Sequence, residues 1–198
     1  LIVAVRKQGV FHRAIAGTTA LRLITACPCA VWVALRRFEI GRRVVLSAVA
    51  LHDLTPDVLQ LSAAIVALRG GAWHVLHVPE YPLEGAMRLR DASQAEVDEY
   101  ERQCREEAWA KLHELCDPLA AETGVTPKLW MAEVRPSEQI TLASQKLASD
   151  VVVMGTVGRS GLAGMIIGNT AERFFSSSEC SVLAMKPEGF ESPVSLSD

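Results

Sequence analysis

The chain has 198 residues, 49% of them hydrophobic and 22% charged, enough apolar material for one full domain and too much for a disordered polypeptide. A formal charge of -3 and a pI near 6.0 leave no basic face of the kind a duplex binder presents. The Arg36-Arg37 and Arg42-Arg43 pairs read as linker charges, so nucleic acid is not an expected partner.

Residues 15–35 are mostly apolar, and Ile24-Thr25-Ala26-Cys27, downstream of Arg6 and Lys7, has the form of a lipoprotein cleavage box. Two features oppose export or membrane insertion: Arg22 interrupts the apolar run, and Pro28 breaks it where a spanning helix would continue. A third is a repeat. Sliding the chain against itself by 151 positions lays residues 1–34 on 152–185 without gaps. Ile15/Ile166, Gly17/Gly168, Thr19/Thr170, Ala20/Ala171, Arg22/Arg173, Cys29/Cys180 and Val31/Val182 are then identical, and many other pairs are apolar on apolar. The counterpart of the apolar run carries Asn169, Glu172, Arg173 and Glu179, a set that no bilayer accepts. Residues 1–35 therefore read as the C-terminal remnant of a first domain, 36–188 as a complete second copy, and 189–198 as a polar tail. A remnant of this kind either packs on the second domain or on a partner chain, or stays poorly ordered.

Within the complete copy, residues 43–51 form a nearly continuous apolar run with β-branched residues, as expected of a strand covered on both faces. Pro56 opens a helix over 57–69 with Val58, Leu61, Ile65 and Leu68 inward, stopped by Gly70-Gly71. Residues 73–78 predict a second strand and 79–93 a loop. A long helix at about 94–122 has its stripe on Val97, Tyr100, Cys104, Ala108, Leu112, Leu115 and Leu119. Lys128 to Val134 predicts a third strand. A helix opened by Pro136 follows, with Ile140, Leu142 and Leu147 inside; then come a fourth strand at 150–155, a glycine-rich loop, a helix from about 169 and a fifth strand at 181–186. Strands alternating with helices imply an α/β, doubly wound, Rossmann-like parallel sheet.

Five cysteines, Cys27, Cys29, Cys104, Cys116 and Cys180, have no disulfide-framework rhythm and predict reduced thiols in a cytoplasmic compartment. No histidine pair has metal spacing, and Cys27-Pro28-Cys29 alone is too few ligands for zinc. His77 reads as a structural histidine. Gly158-Arg159-Ser160-Gly161 is not a nucleophile elbow, because Leu162 stands where a glycine is needed. No acid/base pair suggests catalysis.

The chemistry-bearing stretch runs from Gly155 to Glu172. It begins where the fourth strand ends, the edge at which open α/β sheets bind ligands. Gly155 and Gly158 are read as positions of close ligand approach and positive φ. Gly168 leads into a helix with Asn169 as cap and Glu172 as its capping-box partner. Free helix-start amides beside Arg159 would suit phosphate oxygens; the plainer reading is that these residues only turn the chain and start a helix.

The spacing Gly155, Gly158, Gly168, with DVVVMGTVGRSGLAGMIIGNTAE and CSVLAMKP around it, resembles the universal stress protein family, in detail over 150–187 and in outline over 37–187. The repeat and the Gly168-Asn169-Thr170-Ala171-Glu172 wording are most similar to its tandem-domain, E-type members. The resemblance implies a five-stranded parallel sheet of order 3-2-1-4-5. It also implies a homodimer or tandem-domain pairing through the last strand, and an adenine nucleotide, ATP (with Mg) or AMP, as ligand. The nucleotide-binding residues it implies are Met154, Gly155, Val157, Gly158, Arg159, Gly168, Asn169 and Thr170, with Ala48 and Ala50 on the first strand. Two positions depart from the pattern: Asn169 replaces a Ser or Thr, and Ala50 replaces an acidic residue that reads adenine and ribose. The competing expectation is an interaction protein with a vestigial pocket; slow nucleotide hydrolysis ranks third.

Overall fold

The computed structural model describes residues 1–5, 18–35, 43–133, 135–156 and 167–192. In chain order the elements are β1 (Ile2–Val5), α1 (Thr18–Ala26), β2 (Val31–Leu35), β3 (Val44–Val49), α2 (Thr55–Arg69), β4 (Ala72–His77), α3 (Glu84–Leu89), α4 (Gln94–Thr123), β5 (Lys128–Met131), α5 (Pro136–Lys146), β6 (Val151–Gly155), α6 (Asn169–Ser177) and β7 (Ser181–Met185). The strands form one seven-stranded sheet in the order β1-β2-β7-β6-β3-β4-β5. Every neighbouring pair is parallel except β2 with β7, so the sheet is mixed.

The apolar runs of β3, β6 and β7 are buried along almost their whole length because helices cover both faces there. On one face Ile140 of α5 and Ala171, Phe174 and Phe175 of α6 meet Leu46, Val152, Met154 and Val182. On the other, Val58, Leu59 and Val66 of α2 and Leu112 and Cys116 of α4 meet Val45, Trp73, Val75 and Val153. Fully burying a side chain the size of Phe174 contributes roughly 1.5–3 kcal/mol. The buried polar groups between α2 and the sheet are paired in series. Trp73 Nε1 donates to Ser47 Oγ at 2.9 Å, Ser47 donates to Ser62 Oγ at 2.7 Å, and Ser62 donates to the Val58 carbonyl at 2.7 Å. At the opposite end of the sheet, the Val44 amide donates to the Asp150 carboxylate at 2.7 Å, joining β3 to β6.

Several expectations need correction. Leu68 is 86% exposed: α2 is apolar nearly all round, and the sheet takes the arc through Val58, Ser62, Ile65 and Val66. Leu142 is 58% exposed, since it stands two residues from Ile140 and so about 200° around the helix. The segment 79–93 carries the short helix α3, and β5 ends at Met131; Val134 lies outside the described residues.

The N-terminal segment joins the same sheet. The β2–β7 register pairs Val31 with Ala184, Trp32 with Leu183 and Val33 with Val182. Under the 151-residue offset this pairing maps onto itself, with a local twofold at Trp32/Leu183. The parallel registers also correspond, Ile2↔Trp32 with Val153↔Leu183 and Val3↔Val33 with Met154↔Ala184. The helices α1 and α6 occupy the same nine positions of the repeat.

Candidate functional site

The chain leaves β3 for β4 and β5 on one side and returns to β6 on the other. The carboxyl ends of β3 and β6 thus diverge at a topological switch point, where open α/β sheets leave a crevice. A cavity of about 380 Å³ lies there, within the range of small-molecule sites, roughly 300–1,000 Å³. Ala48, Val49 and Ala50 line it from β3 and its exit, Leu76, Val78 and Glu80 from β4 and its exit, and Met154 and Gly155 from β6. Thr55 and Val58 of α2, Pro136 and Ile140 of α5, and Gly168, Asn169, Thr170 and Ala171 at the start of α6 close it. The floor is apolar and buried at Ala48, Leu76 and Met154.

Seven of the residues expected from the sequence, Ala48, Ala50, Met154, Gly155, Gly168, Asn169 and Thr170, come together on this cavity. Val157, Gly158 and Arg159 lie outside the described residues. Two expected details change. The α6 cap is Gly168, extended at φ -75° and ψ 146° and without a side-chain cap; Asn169 is the first helical residue. The Glu172 amide donates to the Gly168 carbonyl at 2.9 Å, the first turn of an ordinary helix. Gly155 is not among the positive-φ glycines of the described residues. A β-carbon on it would come within 2.8 Å of Leu54 Cδ2, so a side chain there would have to displace the end of Leu54 in the turn before α2.

The α6 start is held to the sheet from both directions. Thr156 donates to the Met185 carbonyl through its amide and its hydroxyl, each at 3.0 Å. The Gly168 amide donates to the Thr156 carbonyl at 2.6 Å. This places the amides of the first turn of α6, which have no acceptor within a helix, against the cavity. A helix start concentrates partial positive charge, so this end of the cavity favours an anion.

Sequence reasoning missed His52 and Glu80. Three hydrogen bonds fix the turn that holds His52: its amide to Thr55 Oγ1 at 3.1 Å, its carbonyl from the Thr55 amide at 2.8 Å, and its Nδ1 from the Leu54 amide at 3.2 Å. Because Nδ1 accepts, the proton of the neutral ring sits on Nε2. Glu80 lines the cavity with Leu76 and Val78; its place just past the carboxyl end of β4 was the signal available. His77 does not line the cavity; its Nδ1 lies 3.0 Å from the Val49 carbonyl. Among the described residues no group of His, Cys, Asp or Glu is arranged to hold a metal ion. No helix among them is long and apolar enough to cross a membrane.

Comparison with known proteins agrees with this architecture. Residues 41–186 match the model of the universal stress protein family, well over half of the chain, and the chain belongs to that family. It is similar to Universal stress protein E of Photorhabdus laumondii subsp. laumondii, 25% identical over 183 residues, which cover 87% of this chain and 56% of the relative. It is also similar to the structure of PA1789, a functionally unknown protein from Pseudomonas aeruginosa PAO1. That TM-score is 0.68 at 26% identity, over 94% of this chain and 62% of the other. A universal stress protein solved in complex with cAMP shares the fold, with TM-score 0.53 and 16% identity over 73% of this chain and 97% of that one. The chain spans 56% of the length of the Photorhabdus relative and 62% of that of the Pseudomonas protein.

Proposed function

We propose that this member of a stress-response family is a sensor or regulator that binds an adenine nucleotide at the carboxyl edge of β3 and β6. The observation that carries the reading is the cavity itself: about 380 Å³ with an apolar floor, bordered by the first turn of a helix whose amides attract phosphate. Met154, Gly155, Ala48 and Ala50 would face the base and ribose. Gly168, Asn169 and Thr170 would hold phosphate oxygens, and Val157, Gly158 and Arg159 are assigned to the same ligand on their sequence spacing. ATP or AMP fits this division. With ATP, Mg would be carried by the phosphates, since among the described residues the cavity lining offers Glu80 as its one carboxylate. A universal stress protein in complex with cAMP supports the ligand class.

The protein acts by binding in this reading and not as an efficient enzyme. The five free thiols fit a cytoplasmic setting. Residues 1–35 are read as the end of a preceding copy of the domain; the matching registers at the 151-residue offset support this. Within one chain β2 occupies the outer edge of β7, which favours tandem-domain pairing over a homodimer through that strand.

Calorimetric titration of ATP, AMP and cAMP into the whole chain tests the site. Micromolar Kd for at least one of them is expected, abolished by Ala50→Trp, which fills the cavity mouth without entering the core. Absence of binding at millimolar nucleotide, or equal binding by the variant, would overturn the nucleotide reading.

A further inference from the structure

Ala50 removes a carboxylate from the end of β3, yet the cavity retains one. Glu80 lines it from the exit of β4, the strand parallel to β3 whose His77 is in register with Val49. Past the end of that register Val78 and Glu80 line the cavity together with Ala50. We infer that Glu80 is the ribose-reading acceptor of this site, taking from the neighbouring strand the role that Ala50 cannot fill. The inference rests on the nucleotide reading above.

The charge arrangement argues for this role. β4 and β6 flank β3 on opposite sides, so Glu80 and the α6 start approach the cavity from opposite sides of β3. The α6 end draws phosphates, while a carboxylate repels them and accepts hydrogen bonds from hydroxyl groups. A nucleotide therefore enters in one orientation, with phosphates toward Gly168 and Thr170 and the ribose hydroxyls toward Glu80. Carboxylate recognition of a ribose hydroxyl at a sheet's carboxyl edge is a general solution for nucleotide sites. Glu80 is exposed at the rim, so changing it does not disturb the core.

The test compares ATP with its 2′,3′-dideoxy analogue on the whole chain, in the unaltered protein and in Glu80→Gln, Glu80→Ala and Glu80→Ala with Ala50→Asp. A charged hydrogen bond is lost in Glu80→Gln, so ATP affinity is expected to fall about tenfold. The dideoxy analogue should bind both proteins alike, and Ala50→Asp should restore part of the ATP affinity lost in Glu80→Ala. The thermal midpoint serves as the folding control and should not move. If the unaltered protein binds ATP and the Glu80 variants bind it equally well, Glu80 is not the acceptor and the nucleotide reading stands. If the unaltered protein binds no nucleotide, the site reading fails and this assignment falls with it.

Discussion

His74 is buried on the sheet face opposite His77, and its Nδ1 accepts from Trp130 Nε1 at 3.0 Å. Burial, and then the positive charge of Lys128, hold its pKa below the ordinary imidazole value. The folded protein thus keeps this ring neutral while the unfolded chain takes up a proton as pH falls through about 6.5. Its contribution to stability is present above that pH and lost below it. Thermal unfolding between pH 7.5 and 5.5 should show the midpoint dropping on the acid side, with a shallower drop in His74→Gln, which keeps an acceptor for Trp130 and does not titrate. Equal slopes in both proteins would contradict the assignment. Single residues were also the scale at which the sequence was least legible. Gly155 lines the cavity, and Leu54 is packed against it as well, a contact that no spacing encodes. Asn169 reads as a cap because its side chain suits one; Gly168 takes the position since its extended backbone continues the connection back to Thr156.

At the scale of elements, most helices and strands follow from periodicity, and the exceptions have local causes. α4 runs over the span its stripe predicts because both its ends carry strong signals. Ser93 and Glu96 form a reciprocal capping box, and Gly124 closes the helix in the left-handed region at φ 70°. α3 escaped notice because six residues are too few to show a period. α5 ends less comfortably: past its C-cap Leu147, Ala148 takes the left-handed conformation at φ 48° while exposed to solvent. A β-carbon there costs roughly 1–2 kcal/mol that glycine avoids, partly offset by the greater freedom of glycine in the unfolded chain. Ala148→Gly is therefore expected to stabilise the protein by about 0.5–1 kcal/mol in urea unfolding at unchanged m-value. A destabilised variant would mean that the turn into β6 is held by something other than backbone geometry.

For the whole molecule, alternating strands and helices make the α/β class legible, and the self-match at 151 positions sets residues 1–35 apart from the rest. What the alternation could not reveal is that β2 lies antiparallel on β7, making a mixed sheet in which the two segments related by the repeat face each other across a local twofold. Strand direction between segments depends on the buried partners each can find, here Val31 and Val33 beside Val182 and Ala184, and not on the local pattern of either. The cavity was half legible. Its glycine-rich side follows from motif spacing, whereas His52, Thr55 and Glu80 are brought to it by β3–β4 pairing and by the turn before α2.

The central claim, that an adenine nucleotide lies along the carboxyl edge of β3 and β6, is tested most directly by amide-resolved NMR of the whole chain titrated with ATP. Saturable shift changes are expected at Ala48 to Ala50, Gly155, Gly168 to Ala171 and Glu80, with β1, β2 and α1 unmoved. No shifts at millimolar ATP, or shifts gathered on residues away from this edge, would contradict the account.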